Sequence, residues 1–119
     1  MPWHLLADRT RTLPPPPPFV REDLLFPRAE GIRAWLDLLA DEIAPRIEAT
    51  QDGPIVWSSL WPARPALRIV LDVTAHGSET ALRFRLESPE PVDDPSAVGH
   101  YRRRLNELFF RDLRQTYGQ

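Results

Sequence analysis

Two runs of alternating apolar and polar residues, broken only at His76-Gly77-Ser78-Glu79, constrain this chain more than any other feature. Leu67, Ile69, Leu71 and Val73 alternate with Arg68, Val70, Asp72 and Thr74; after the break, Leu82, Phe84 and Leu86 alternate with Arg83, Arg85 and Glu87. A period of two marks a strand with one buried face. A Gly-Ser loop suits a type II′ turn, because glycine accepts positive φ at the first central position. That loop pairs His76 with Glu79 and thereby fixes every other pair. Arg68 then opposes Glu87 and Asp72 opposes Arg83 on the polar face. Ile69 opposes Leu86, Leu71 opposes Phe84 and Val73 opposes Leu82 on the apolar face. A slip of one residue would set core residues against charges, so turn chemistry, pattern and charge agree on one antiparallel hairpin.

A sheet with an apolar face needs a cover, and the C-terminal third supplies a helix. Residues 88–95 carry three prolines and two aspartates and read as a loop. Asp94 is placed to cap a helix whose first residue is Pro95, and Gly118 is its stop. The helical body spans 97–117. At about 100° per residue, Val98, Tyr101, Leu105, Leu108, Phe109 and Leu113 share one face, while Arg103, Glu107 and Arg114 point away. Asp112 falls in the middle of the apolar stripe, where a carboxylate must be paired, hydrated or open to a cavity. The triplet Arg102-Arg103-Arg104 spreads over more than half the circumference and reads as a solvated face.

The N-terminal half is less regular. Residues 3–12 form a strand, with Trp3, Leu5 and Ala7 on one face, His4, Asp8 and Thr10 on the other, and Leu6 breaking the pattern. Pro14 to Pro18 cannot donate ladder hydrogen bonds and favour polyproline II, a stiff connector inside the domain. A short helical turn over 19–26 follows. Ile32, Trp35, Leu36 and Leu39 recur at helical spacing and predict a helix over 29–40. Residues 41–50 are either a continuation of that helix, with Pro45 inside it, or a strand. The strand is favoured, because Asp52-Gly53-Pro54 is a turn signal before the strand-like residues 55–61; Pro45 would then sit at an edge or a bulge.

Composition closes off several chemistries. At 119 residues the chain is sized for a single domain over 1–119. It has no cysteine, which removes disulfides, a thiolate nucleophile and thiolate-bound metals. All 15 basic residues are arginine, so Schiff-base chemistry is excluded. A net charge of −2 gives no reason to expect nucleic acid or an anionic membrane. No apolar run approaches membrane-spanning length, and the amino end lacks a secretion signal, so the cytoplasm is expected. The histidines His4, His76 and His100 have no metal-ligand spacing, and neither a metal nor a cofactor is expected. Asp93 and Asp94 read as helix-start residues, not a catalytic pair. Trp35, Trp57 and Trp61 are core residues or the wall of a pocket. Of Ser58 and Ser59 one must face inward, but no base is positioned to activate it, and no catalytic residue is assigned.

The order of elements (strand, proline connector, short helix, a second segment with Trp35, consecutive antiparallel strands, one long terminal helix) resembles the helix-grip fold of the START/polyketide-cyclase-like superfamily, or SRPBCC. Leu5 to Leu13 running into Pro14–Pro18, the stretch Ile55 to Pro62, the segment Ser78 to Phe84 and the closing Leu105 to Leu108 resemble its strands, last tight turn and final helix. The resemblance implies an α+β fold: a curved antiparallel sheet, here of five to six strands, gripping the terminal helix, with one or two short helices after the first strand. It also implies a cavity lined from Trp35, Trp57, Ser59, Leu71, Phe84, Tyr101, Leu105, Phe109 and Asp112. Three functions follow. The first is binding of a small hydrophobic molecule with little or no catalysis. The second is a polyketide cyclase or dehydratase-like enzyme with Asp112 as acid or base. The third is an interaction module with a filled core. An open or filled space between sheet and helix separates the first two from the third.

Overall fold

The computed structural model describes residues 2–27 and 35–118. It holds an α+β fold: five antiparallel strands, β1 (His4–Leu13), β2 (Ile47–Ala49), β3 (Ile55–Ser58), β4 (Arg68–His76) and β5 (Glu79–Ser88), in the order β1-β5-β4-β3-β2. Helix α1 (Pro17–Leu25) follows β1, and α2 (Pro95–Glu107) continues through a π-helical turn (Leu108–Asp112) into α3 (Leu113–Thr116).

The central hairpin has the register that its turn dictates, from Arg68 opposite Glu87 to His76 opposite Glu79. Gly77 has φ +62° and no non-glycine residue among those described has positive φ, as a II′ turn requires. Leu71, Leu82, Phe84, Leu86 and Ile69 are fully buried. The charges pair differently from their register on one rung. Arg68 does bond Glu87 at 2.8 Å, but Asp72 is held by Arg85 at 3.1 Å, and Arg83 turns to Asp8 of β1. A fork of two short bonds, 2.8 and 2.6 Å, favours Asp8 over the directly opposed Asp72.

Strand β1 departs from simple alternation. A bulge between Leu5 and Ala7 absorbs Leu6: Leu5 opposes Glu87, whereas Ala7 opposes Leu86. The extra residue flips the phase. Ala7 faces the core, but Trp3 and Leu5 move to the outer face, where Trp3 lies 3.6 Å from the Arg68 guanidinium. The proline run divides: Pro17 and Pro18 open α1, and the Pro15 carbonyl accepts from the Thr80 hydroxyl at 2.7 Å.

Residues 35–40 are not helical, and 29–34 of the expected helix lie outside the described residues. The Trp35 and Leu36 N–H groups both bond the Pro27 carbonyl, and the Trp35 indole bonds the Asp23 carbonyl. These tertiary bonds outweigh a local periodicity worth a few tenths of a kcal/mol per residue. The strand reading of 41–50 holds only for Ile47–Ala49, which pairs with β3. Pro45 stays outside that ladder, and β3 ends at Ser58, not at Trp61.

Asp94 caps α2 by accepting the Ala97 N–H at 3.1 Å, with Pro95 next, and Gly118 ends the helix at φ +79°. The π turn is the unexpected part. The Leu113 N–H bonds the carbonyl of Leu108, five residues back. One extra residue in a turn rotates everything beyond it back by about 100°. Leu113 therefore lands in the centre of the buried stripe, and Asp112 swings out of the centre to the edge beside Arg104.

Candidate functional site

Seven of the nine residues expected on a pocket wall are brought together, but against one another; Ser59 and Asp112 are not among them. Trp57 and Trp35 stack with centroids 6.0 Å apart, and Phe109 sits 5.3 Å from Trp57, 6.1 Å from Trp35 and 5.9 Å from Phe84. Leu71 and Leu105 are fully buried in the same cluster. Tyr101 stacks on Trp61 at 4.2 Å. The two indoles also have a structural task. The last carbonyls of a helix lack internal partners, and Trp35 and Trp57 donate to those of Asp23 and Leu24 at 2.9 and 3.0 Å. The core rings thus fix the end of α1. Ser59, one residue past the end of β3, is buried. Its hydroxyl is used up in the next turn, donating toward the carbonyls of Arg64 and Trp61 and accepting the Trp61 N–H.

Asp112 belongs to a different place. It lines an open groove of about 480 Å³ with Trp35, Asp37, Leu39, Arg104 and Arg111. One Asp112 oxygen accepts from Arg111 Nε at 2.9 Å, and the other lies 3.9 Å from Arg104 Nη1. The Asp112 hydrogen bond raises the Arg111 pKa above its already high ordinary value. Asp112 is thus ion-paired and also lines an open groove, off the stripe centre where helical spacing alone had set it.

Arg104, on the wall of that groove, belongs to the least expected pair of charges. Arg104, expected on a solvated face, has a side chain only 5% exposed, and its partner Glu42 is 0% exposed. Arg104 donates from Nε to Glu42 Oε2 at 2.8 Å, and from Nη2 to Oε1 at 3.0 Å and to the Asp37 carbonyl at 2.6 Å. Glu42 also accepts the Leu39 N–H at 2.9 Å. This fork, bidentate and nearly dry, pins the irregular segment 37–42 to α2. The sequence carried a partial signal for Arg104, which stands between Tyr101 and Leu108 at the edge of the apolar stripe. Nothing local marked Glu42.

Among the described residues, no group of three or more His, Asp or Glu comes together as a metal site would, and no helix is long and apolar enough to cross a membrane. Comparisons with family models, curated proteins and solved structures give no match, so function must be argued from the chain's own residues.

Proposed function

We propose that the chain is an interaction module that works through its surface, its interior being occupied by its own side chains. The observation that carries this reading is the Phe109 ring lodged among Trp35, Trp57 and Phe84 between sheet and terminal helix. We read the element order as that of a shortened helix-grip fold of the START/polyketide-cyclase-like kind, in which these rings fill the space that a ligand would take. The catalytic alternative is weakened by Asp112, which faces two guanidiniums, Arg111 at 2.9 Å and Arg104 at 3.9 Å, on the wall of an open groove.

Overpacking tests the reading. In a filled interior, Leu71→Phe and Leu105→Phe each cost about 1–3 kcal/mol. With an unfolding entropy of about 2.1 cal/mol/K per residue, that is roughly 4–12 °C in Tm. A space large enough for a ligand would accept the added carbons without loss. Unchanged or raised Tm in both variants, or an apolar molecule retained at stoichiometry in native mass spectrometry, overturns the filled-core reading in favour of hydrophobic-ligand binding.

A further inference from the structure

The sheet is open, and its two edges are unlike each other. The β2 edge is three residues long, preceded by Pro45 and followed by Gly53-Pro54. Short, proline-flanked edges resist pairing. The β1 edge is ten residues long and, among the described residues, has no strand beyond it. Its middle, Asp8–Arg11, is exposed at four consecutive positions instead of alternating.

Charge decides what this edge would accept. Asp8 is already neutralised by its fork with Arg83 on the outer face. The hydrogen bond from Arg83, the largest cause, holds the Asp8 carboxyl below its ordinary range. Arg9 and Arg11, which share a face with Phe84 and Leu82, have no carboxylate partner among the described residues; Arg11 lies 5.9 Å from the Phe110 ring. Arg114 stands beside them and spends its guanidinium on the Thr12 carbonyl at 3.3 Å. In a chain of net charge −2, this edge is locally cationic. Because the Thr12 carbonyl receives a side chain from outside the sheet, its peptide groups face the open edge, and those of Thr10, two residues away, share that direction.

A second copy of the chain is a poor occupant. Directly opposed residues of an antiparallel pair share a face, so a two-fold axis within the exposed stretch Asp8–Arg11 must fall on one of its four residues. Placed on Asp8, it sets Asp8 against itself. Placed on Arg9 or Arg11, it sets that arginine against itself, and placed on Thr10, it sets Arg9 against Arg11. Like charges directly opposed destabilise a sheet.

We propose that the free edge of β1 takes an extended segment of a partner protein, added as a sixth strand beside Asp8–Arg11, with carboxylates at alternate positions that meet Arg9 and Arg11. Main-chain bonds to the edge supply affinity in strand addition, and the alternate side chains supply selectivity. The positions between the carboxylates face Asp8, Thr10 and Thr12 and suit threonine or valine. The proposal rests on reading the chain as an interaction module.

The test is fluorescence anisotropy with the whole chain and a labelled ten-residue peptide alternating Glu with Thr and Val. Saturable binding is expected below about 100 μM, in the range of weak recognition. Two comparison peptides separate strand addition from simple attraction: one of equal composition with its glutamates in a block, and one N-methylated at alternate amides. Both should bind at least about tenfold more weakly, as should Arg9→Glu/Arg11→Glu protein whose Tm and circular dichroism match the wild type. Equal binding of either comparison peptide refutes strand addition. No binding of the alternating peptide up to about 1 mM refutes the site. A dimer in sedimentation velocity that the peptide dissolves assigns the edge to a second copy and refutes the acidic partner. None of these readouts depends on the Tm of Leu71→Phe and Leu105→Phe, so the edge and the filled core can fail separately.

Discussion

Replacing Arg104 by methionine removes the cation but keeps most of the buried stem, which isolates the charge. Wild-type Glu42 accepts three short bonds, two from Arg104 and one from the Leu39 N–H, with no exposed side-chain surface. In Arg104→Met the carboxylate keeps only the Leu39 N–H, and the Asp37 carbonyl loses its donor as well. Stranding one partner of a buried pair costs about 3–5 kcal/mol. For 119 residues, with an unfolding entropy of about 2.1 cal/mol/K each, that is a fall of roughly 12–20 °C in Tm. The companion Glu42→Leu/Arg104→Met should recover most of the loss, since apolar residues of similar volume replace a buried pair at little or no cost. Arg103→Met, one position away on an exposed face, serves as control and should move Tm by no more than about 2 °C. The assay is thermal melting followed by far-ultraviolet circular dichroism near neutral pH, with urea titration as a check. Arg104→Met melting as the Arg103→Met control does would refute the argument. So would a double variant no better than the single, because the cost would then lie in packing and not in the orphaned charge.

Two further outcomes can be measured on the same instrument. Asp8→Asn should lower Tm near neutral pH, and the gap should close in acid. The folded Asp8 carboxyl lies below its unfolded value of 3.8, so its contribution is complete above 3.8 and disappears as pH falls through the folded value; a gap that persists in strong acid refutes the Arg83 linkage. Asp94→Ala removes the acceptor for the Ala97 N–H and should cost about 1 kcal/mol, with Asp94→Asn restoring most of it. Equal losses in both would show that the charge, not the cap, matters there.

Local rules carried part of this molecule without help. The Gly77-Ser78 turn set the entire β4–β5 register, because two residues are too few to permit a second pairing. Asp94-Pro95 and Gly118 fixed the ends of the terminal helix, because capping depends on residues a few positions apart. Side chains at known phase on known elements then told which would be buried, and Trp57, Leu71, Phe84, Leu105 and Phe109 are.

What the sequence could not decide was phase and partner. A bulge at Leu6 and a π turn at Leu108–Asp112 each insert one residue, and one residue is enough to move Trp3 and Leu5 to the outer face and Asp112 off the apolar stripe. Such insertions are selected by packing across the sheet and helix, which no window of neighbouring residues contains. The same holds for Glu42 and Arg104, 62 positions apart, and for the indoles of Trp35 and Trp57 that end α1. Sequence by itself determined the hairpin, the terminal helix and the apolar faces they share, because those follow from short-range geometry. Only the tertiary structure decided that Phe109 lodges among Trp35, Trp57 and Phe84, and that β1, with Arg9 and Arg11, is an end strand of the sheet among the described residues. Volume filling and strand order are sums over contacts between residues far apart in the chain.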